Sequence, residues 1–339
     1  MTWTEAPVFL CGHRKSGTTL LLSLFDNHPD YSVFPPDSGF WYGFFPRYAS
    51  DTFSFDEKIA RMKSVFFLNL EDDFKNLDCY EEGKYQVDFD GMCESFVERM
   101  KSRKGHWKDF LVSGMEAFHE FHPCKRSEPL GFIEKTTSTE IYACEIKDSF
   151  PTAKFIHLVR DPRDNYASLK SGWSARYQDQ NDTVERLLQS MLERGLLGLR
   201  MAIENQKIFK DSYYVLRYED LVHQPEEEMR KLCDFLSIEY SSSLLVPTYL
   251  GLPWKGNNFD GLSFSKPDPV NAGRWKERIT EHEAGVIEFH GRDLMLAHNY
   301  ELSIDPALAS RAAAEHYKWH NFAQVYSSAG AAETYKEAE

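Results

Sequence analysis

Short strand-like runs alternate with longer amphipathic stretches along most of the chain. The runs that are typical of buried strands lie at 8–11, 31–34, 131–135, 153–159 and 213–216. Apolar residues at helical spacing are clearest over 138–149, 182–209, 225–236, 279–298 and 306–325. Strands that alternate with helices predict an α/β fold in which a central, mainly parallel sheet is flanked by helices.

One stretch departs from this alternation. Residues 56–121 mix charged and aromatic side chains on a mostly helical pattern, and they favour a helical insertion rather than a separate domain. No Gly/Ser-rich or Pro-rich linker divides the chain. We therefore expect a single domain over residues 1–325, and we expect residues 326–339 to form a frayed tail.

The chain is organised around its first strand and the turn that follows it. An apolar run, 8–11, leads into a polar loop bracketed by Gly12 and Gly17, and a helical pattern comes next. Strand, glycine-bracketed loop and helix together point backbone N–H groups at a phosphate. A Walker A loop would carry lysine where this chain has Thr18, whereas the cation here comes earlier, as Lys15. This arrangement favours neutralising one phosphate without a metal over holding a nucleoside triphosphate; an ordinary strand-to-helix turn is the alternative.

Composition and net charge limit the classes of partner and the cell compartment that we expect for this protein. The net charge of −14 argues against nucleic acid, because duplex binding draws on a broad basic surface. Among 339 residues, 42% are hydrophobic, yet no run approaches the length of a membrane span, and we expect neither a signal peptide nor an anchor. The six cysteines are scattered without a C-x-x-C pair, which is typical of reduced thiols in a cytoplasmic protein.

Two motifs carry a resemblance to a known family. Residues 13–21 read His-Arg-Lys-Ser-Gly-Thr-Thr-Leu-Leu and resemble the 5′-phosphosulfate loop of sulfotransferases that use 3′-phosphoadenosine 5′-phosphosulfate (PAPS). Residues 154–164 read Lys-Phe-Ile-His-Leu-Val-Arg-Asp-Pro-Arg-Asp, are followed by Ser168, and resemble the family's 3′-phosphate strand and helix. The resemblance implies a P-loop-like fold, PAPS as donor, 3′-phosphoadenosine 5′-phosphate (PAP) as product, and no metal.

The resemblance also implies roles for individual residues. Lys15 matches the family's loop lysine and would stabilise the charge that builds on the leaving phosphate. Arg160 and Ser168 match the pair that holds the 3′-phosphate, although Arg160 could instead pair with a neighbouring aspartate. The remaining residues expected to hold the 5′-phosphate are Arg14, Ser16, Gly17, Thr18 and Thr19.

The base that removes the acceptor proton is less clearly marked. Several family branches carry an acid shortly after the first helix, and Asp37 occupies that place. An ordinary carboxylate would need partial desolvation to work near neutral pH, and the aromatic run that follows could supply it. His119 and His122 are rival bases, and a turn-capping role for Asp37 remains an alternative. Lys135 lies where the family often has a lysine near the transferring group, with a structural ion pair as the other interpretation.

The last motif departs from the family. Gly273-Arg274-Trp275 resembles part of the C-terminal cofactor motif, but the Arg-Lys-Gly triplet of the animal cytosolic branch is absent at 268–270. Arg274 and Lys266 are possible substitutes, and Trp275 could stack on adenine or pack. The chain thus resembles distant, bacterial-type members.

The function that these motifs imply is the transfer of a sulfuryl group to a hydroxyl or amine of a small-molecule or carbohydrate acceptor. The alternatives are a P-loop kinase and a non-catalytic nucleotide-binding protein. The aromatic run 40–48 and the insertion suggest an enclosed, partly apolar acceptor site. The sequence indicates neither the acceptor's identity nor the oligomeric state.

Overall fold

Five parallel strands form the main sheet. They are β1 (Pro7–Cys11), β2 (Tyr31–Val33), β3 (Gly131–Lys135), β4 (Lys154–Val159) and β5 (Tyr213–Arg217). Their order in the sheet is β2-β3-β1-β4-β5, so β1 pairs in parallel with both β3 and β4. The structure is a computed structural model that describes residues 2–44, 53–77, 87–123, 128–176, 184–257 and 260–318.

Helices connect the strands and fill most of the remaining described chain. They are α1 (Thr18–Phe25), α2 (Phe40–Phe44), α3 (Phe55–Met62), α4 (Leu68–Lys75), α5 (Phe89–Lys101), α6 (Trp107–Glu120), α7 (Ala143–Ser149), α8 (Pro162–Arg176), α9 (Val184–Ser190), α10 (Leu196–Phe209), α11 (Tyr218–His223), α12 (Pro225–Leu236), α13 (Trp275–Arg278), α14 (Glu281–Ala297) and α15 (306–318). A short antiparallel pair joins β6 (Thr248–Tyr249) to β7 (Leu252–Pro253).

The chain divides into two compact units. The first comprises the described residues up to Arg160 together with Arg200–Val270, and it contains the whole main sheet. The second comprises Asp161–Leu199 and the described residues from Asn271 onward. The prediction of a single domain over residues 1–325 stays a prediction beside this division.

Alternation along β1 explains why the sheet is covered on both faces. Val8 and Leu10 pack with apolar residues of α1 and α12 on one face. Phe9 and Cys11 point to the other face, where they join an aromatic-rich cluster supplied by α2, α5, α6 and α7. A strand buried on both faces needs a continuous apolar run, and this is the pattern that predicted it.

The second unit has a core of its own. Apolar residues of α8, α9, α13 and α14 pack together, among them Tyr166, Leu187, Trp275 and Ile287. Because α14 begins with a capping box at Thr280 and ends after a full amphipathic stretch, local sequence signals explain its limits.

The predicted α/β fold is confirmed. Each of the five predicted strands is present to within about two residues, and the predicted helix over 182–209 is present as α9, a π-helical turn (Met191–Gly195) and α10 from residue 184 on. The predicted insertion is mostly helical where 56–121 is described, with short non-helical segments between α4 and α5 and between α5 and α6. The expected tail at 326–339 lies outside the described residues.

Two further findings concern the helices and the cysteines. No helix in the described ranges is both long enough and apolar enough to cross a membrane. Cys11, Cys93, Cys144 and Cys233 are free thiols, and the other two cysteines lie outside the described ranges.

Candidate active site

The candidate site lies at the carboxyl edge of the main sheet. Gly12 follows β1, Lys135 ends β3 and Arg160 follows β4. Since β1 pairs in parallel with both β3 and β4, these three strand ends are neighbours. Ligands of open parallel sheets bind beyond this edge, where the strand order reverses direction.

The phosphate loop, residues 12–19, has an unusual backbone. Gly12, Lys15 and Gly17 all have positive φ, at 140°, 63° and 102°. A side chain at Gly12 would also place its Cβ 2.6 Å from the carbonyl oxygen of Leu158. Glycine is therefore required at this position by both conformation and space.

The loop leads directly into a helix. Gly17 is the N-cap of α1, and Thr18 and Thr19 form the first turn, whose N–H groups have no partner within the helix. Arg14 is exposed, Lys15 and Thr19 are half-buried, and Ser16 is buried. The six residues predicted to hold a 5′-phosphate thus lie together on one turn, as the sequence requires.

Gly12 is held by residues to which the sequence assigned no role. The N–H of Gly12 donates to Oε2 of Glu140 at 3.0 Å, and the N–H of Ser138 donates to the carbonyl oxygen of Gly12 at 3.0 Å. Both Ser138 and Glu140 belong to the turn that follows β3. No local sequence signal marks them, because they are far from Gly12 along the chain.

Arg160 lies against the phosphate loop. Its Nη1 donates to the carbonyl oxygen of Lys15 at 2.8 Å, and its guanidinium carbon lies 4.4 Å from the ring centroid of Tyr218. The ammonium of Lys15 donates to the carbonyl oxygen of Asn257 at 3.1 Å. The two predicted cationic residues, Lys15 and Arg160, are therefore neighbours.

Lys135 joins the predicted base to the phosphate loop. Its Nζ lies 3.3 Å from Oδ2 of Asp37 and donates to Oγ1 of Thr19 at 3.3 Å. The same Asp37 oxygen accepts from Oγ1 of Thr137 at 2.6 Å, and Oδ1 accepts from the N–H of Gly39 at 3.2 Å. Of the two interpretations of Lys135, the contact with Asp37 bears out the ion pair, and a place beside the reacting group stays a prediction.

The acidity of Asp37 differs from expectation. Burial raises the pKa of Asp37, but the charge of Lys135 and hydrogen bonds from Thr137 and Gly39 outweigh it and lower the pKa below its usual value. The idea that desolvation would make this carboxylate a stronger base is wrong for the protein without ligand. The cause is an ammonium group contributed by a distant strand, which the aromatic run gave no means to foresee.

A second carboxyl group lies beside Asp37. Glu134 is fully buried and accepts hydrogen bonds from the hydroxyls of Ser38 and Thr136 and, at 3.1 Å, from the indole N–H of Trp41. Burial, with a smaller contribution from the charge of Asp37, raises the pKa of Glu134 to about 7 despite these hydrogen bonds. The sequence signal was weak, since Glu134 looks like any polar strand end.

The aromatic run after Asp37 belongs largely to the core. Phe40 and Trp41 are almost completely buried, whereas Tyr42 is partly exposed. Phe45 and Tyr48 lie outside the described residues. At least the first two rings therefore pack the fold rather than face an acceptor.

In the second unit, Arg163 is enclosed by acids. It pairs with Asp161 at 2.6 Å and Glu288 at 2.5 Å, and its guanidinium carbon lies 4.3 Å from the Trp275 ring. The contacts of Arg163 are therefore those of charge pairing within its own unit. Trp275 is buried against it, which favours packing over stacking on a base.

The motif around Arg274 is fixed to α8. Asp164 accepts from the N–H of Gly273 at 2.6 Å and from the N–H of Trp275 at 2.8 Å. Arg274 lies between these two anchors and donates to Oδ1 of Asn271 at 3.3 Å. Ser168 is partly exposed on the same helix as Asp164. The cofactor roles of Arg274 and Ser168 stay predictions.

The rival histidines lie near one end of α6. The ring of His119 is 5.1 Å from the ring of Trp3, which precedes β1 and so marks the amino edge of the sheet. His122 packs edge-on against Phe118 at 5.3 Å. For His119 this position is on the wrong side of the sheet for a base that works at the phosphate loop. Within the described ranges, no group of three or more His, Cys, Asp or Glu side chains could hold a metal ion.

Known proteins resemble this chain in sequence. A model of the sulfotransferase family matches residues 7–242. The chain is 25% identical over 256 residues to an omega-hydroxy-beta-dihydromenaquinone-9 sulfotransferase of Mycobacterium tuberculosis, which covers 69% of this chain and 63% of that protein. It therefore spans less than two thirds of the mycobacterial relative. A putative protein-tyrosine sulfotransferase of Caenorhabditis briggsae is 22% identical over 71% of this chain and 69% of its own length.

Solved structures resemble it in fold. The sulfotransferase domain of the Synechococcus PCC 7002 olefin synthase superposes with a TM-score of 0.58 at 19% identity, covering 89% of this chain and 98% of that domain. The sulfotransferase domain from the curacin biosynthetic pathway gives 0.51 at 16% identity, covering 89% of this chain and all of that domain. With the phosphate loop, Arg160 and the sheet order as described, and a family model that spans most of the chain, this protein belongs to the sulfotransferase family.

Proposed function

We propose that the protein moves the sulfuryl group of PAPS to a hydroxyl or amine of a small-molecule or carbohydrate acceptor. The observation that carries this proposal is the position of Lys135, whose ammonium lies 3.3 Å from both Asp37 and Thr19. It brings a carboxylate that can accept a proton next to the phosphate loop. Transfer of a group to a hydroxyl or amine is aided by a base that lies close to the loop that holds the donor.

The residues of the phosphate loop suit an anionic nucleotide. The Ser16 hydroxyl is buried without a hydrogen-bond partner among the described residues, so it has capacity to bind a ligand oxygen after a small rearrangement. Arg14, Lys15, Gly17, Thr18 and Thr19 would hold the 5′-phosphate, and Arg160 would hold the 3′-phosphate. When bound, PAPS supplies the sulfuryl group in an activated anhydride.

The charged residues would have separate roles in the transfer. Asp37 is ionised at neutral pH, as its lowered pKa ensures, and can therefore accept the acceptor's proton, although the same lowering weakens it as a base. Lys15 would stabilise the negative charge on the departing phosphate oxygen. Lys135 contacts both Thr19 of the phosphate loop and Asp37, so it would also be within reach of a donor held by the loop, and weaker pairing with Lys135 would make Asp37 a stronger base.

The acceptor class rests on relatives and on the sequence. The mycobacterial relative is named for a menaquinone derivative and the nematode relative for protein tyrosine, so both names specify a hydroxyl acceptor. We favour a small-molecule or carbohydrate hydroxyl or amine. We also propose a cytoplasmic location, which cell fractionation with an antibody tests.

Calorimetry with PAP and with ATP, each with and without Mg²⁺, tests the cofactor. We expect PAP to bind equally well with and without the metal, and ATP to bind weakly under both conditions. Metal-dependent binding of ATP in preference to PAP would instead support a kinase and overturn the proposal.

The rate of turnover tests whether the protein transfers a sulfuryl group and whether Asp37 is the base. PAP release from PAPS is measured with a panel of phenol, alkyl alcohol, amine and sugar acceptors. Asp37→Asn should lose most turnover while keeping PAP affinity, because the amide cannot accept the proton. Unchanged turnover in this variant would remove Asp37 as the base.

A further inference from the structure

The first residue of the phosphate loop is held on both sides of its peptide. The N–H of Gly12 donates to Glu140 Oε2 at 3.0 Å, and the carbonyl oxygen of Gly12 accepts from the N–H of Ser138 at 3.0 Å. Glu140 is 1% exposed and lies in the 3₁₀ turn Thr139–Tyr142. The loop therefore starts from a fixed point that the turn after β3 provides.

An acidic side chain at this place does not attract an anionic ligand, because its charge, if any, has the same sign as that of a phosphate. It does supply an oxygen that accepts from the Gly12 N–H. A buried N–H without an acceptor costs free energy. The position of Glu140 therefore fits holding the loop rather than binding the ligand.

The backbone conformation of the phosphate loop explains why the loop needs a restraint. Gly12 and Lys15 have φ of 140° and 63°, in the region that costs free energy for most residues. Such conformations persist when surrounding groups restrain them. The hydrogen bond from Gly12 to Glu140 supplies that restraint where the loop leaves β1.

Glu140 is itself anchored to the interior. Asn205 donates through Nδ2 to the carbonyl oxygen of Glu140 at 2.9 Å and to the hydroxyl of Tyr213 at 3.2 Å. The Tyr213 hydroxyl is also hydrogen-bonded to Nδ1 of His157 at 2.7 Å. A chain of buried polar contacts thus ties Glu140 to β4, β5 and α10.

We propose that Glu140 is a positioning residue that holds the phosphate loop in its nucleotide-binding conformation through the Gly12 N–H. It touches no ligand and acts through Gly12, at the end of the site that holds the 5′-phosphate. This inference rests on the proposed function, since it presumes that the loop binds a phosphorylated adenosine.

Two nucleotides separate this role from general damage. PAP carries both phosphates, whereas adenosine 3′-monophosphate lacks the one that the loop would hold. In Glu140→Ala, the Kd for PAP should rise by about tenfold, the loss expected when a buried N–H loses its acceptor. The Kd for adenosine 3′-monophosphate should stay within about twofold of the wild type, because that nucleotide draws little from the loop.

Three further variants test the positioning role of Glu140. Glu140→Gln keeps a carbonyl acceptor for Gly12 and should bind PAP within about threefold of the wild type. Glu140→Leu fills the space without an acceptor and replaces Glu140→Ala if the cavity prevents folding. Glu288→Ala is the matched control, since Glu288 is also a buried glutamate that accepts backbone N–H groups, those of Ser303 and Ile304.

The outcomes are distinguishable. Glu288→Ala should lower stability without changing the ratio of the two affinities. If Glu140→Ala and Glu140→Leu bind PAP as the wild type does, or weaken both nucleotides in parallel, the inference is wrong. A loss in Glu140→Gln equal to that in Glu140→Ala would contradict it too. A wild-type protein that does not bind PAP at all would overturn the proposed function, and the inference with it.

Discussion

The two compact units arrange buried charge in different ways. In the second unit, the guanidinium of Arg163 is 4% exposed and lies between the carboxylates of Asp161 and Glu288. In the first unit, Glu134 is equally buried but accepts from two hydroxyls and an indole N–H. Asp37 has a cationic partner there, yet its side chain remains 39% exposed.

This difference distinguishes charged groups that stabilise the fold from charged groups that are available to a ligand. A buried arginine that is fully paired contributes to the fold and has little capacity left for a ligand. At the carboxyl edge of the sheet, Lys15 and Asp37 are half-buried, so a ligand can reach them and change their state. Arg160 and Arg163 show this clearly, because they are three residues apart in one motif and one contacts the phosphate loop while the other is enclosed by acids.

The largest expected effect is on turnover and concerns Lys15, in the phosphate loop of the first unit. Lys15→Ala should lower PAPS turnover by roughly 10²–10³-fold, the usual cost of removing one group that stabilises transition-state charge. PAP affinity should fall much less. Steady-state kinetics with an acceptor from the panel measure the effect. Lys207→Ala, an exposed lysine on α10, is the control and should leave turnover unchanged; an equal loss there would refute a specific role.

The enclosed arginine should affect stability instead. Arg163→Ala leaves Asp161 and Glu288 buried without their cation and should lower the free energy of unfolding by about 3–5 kcal/mol. Urea unfolding measures it. Arg292→Ala, an exposed arginine on α14 of the same unit, should change stability by less than about 0.5 kcal/mol. Equal stability of both variants would show that the buried ion pairs are not what holds this unit.

Glu134 should make stability depend on pH. Its pKa is about 7 in the folded protein against an ordinary 4.5, so the folded state holds a proton that the unfolded state has lost between these values. Its contribution is complete below pH 4.5 and falls by about 3 kcal/mol as the pH rises through 7. Glu134→Gln should therefore gain stability relative to the wild type between pH 5 and pH 8. Urea unfolding at both pH values checks this, and a constant difference would contradict the raised pKa.

The smallest expected effects are on the free energy of unfolding, and they concern two glycines, one in each unit. Gly12 and Gly273 both have positive φ, but an added Cβ meets the Leu158 carbonyl at Gly12 and open space at Gly273. Gly273→Ala should cost about 1 kcal/mol from backbone conformation alone, and Gly12→Ala about 2–3 kcal/mol because of the added clash. Thermal unfolding ranks the two, and equal losses would show that the clash is relieved.

Local sequence predicted most of the fold. The run 8–11 predicted a doubly buried strand, and Gly12 and Gly17 predicted a turn that only glycine can form, since both properties depend on neighbouring residues. The second motif predicted Arg160 as a cation that holds the 3′-phosphate, through its resemblance to the family, and this role stays a prediction. The alternating strands and helices predicted a parallel sheet, and parallel strands bring their carboxyl ends to one edge whatever the connections between them.

Tertiary structure decided what the charges do. The pKa of Asp37 is lowered by Lys135, Gly12 is held by Glu140 across 128 residues of chain, and Arg163 pairs with Glu288 across 125. Periodicity and motif spacing report neighbours along the chain, whereas electrostatic environment depends on neighbours in space. The sequence by itself therefore predicted where a phosphate could bind, and the packing of distant strands and helices determined which acids and bases lie beside that loop and how their pKa values are shifted.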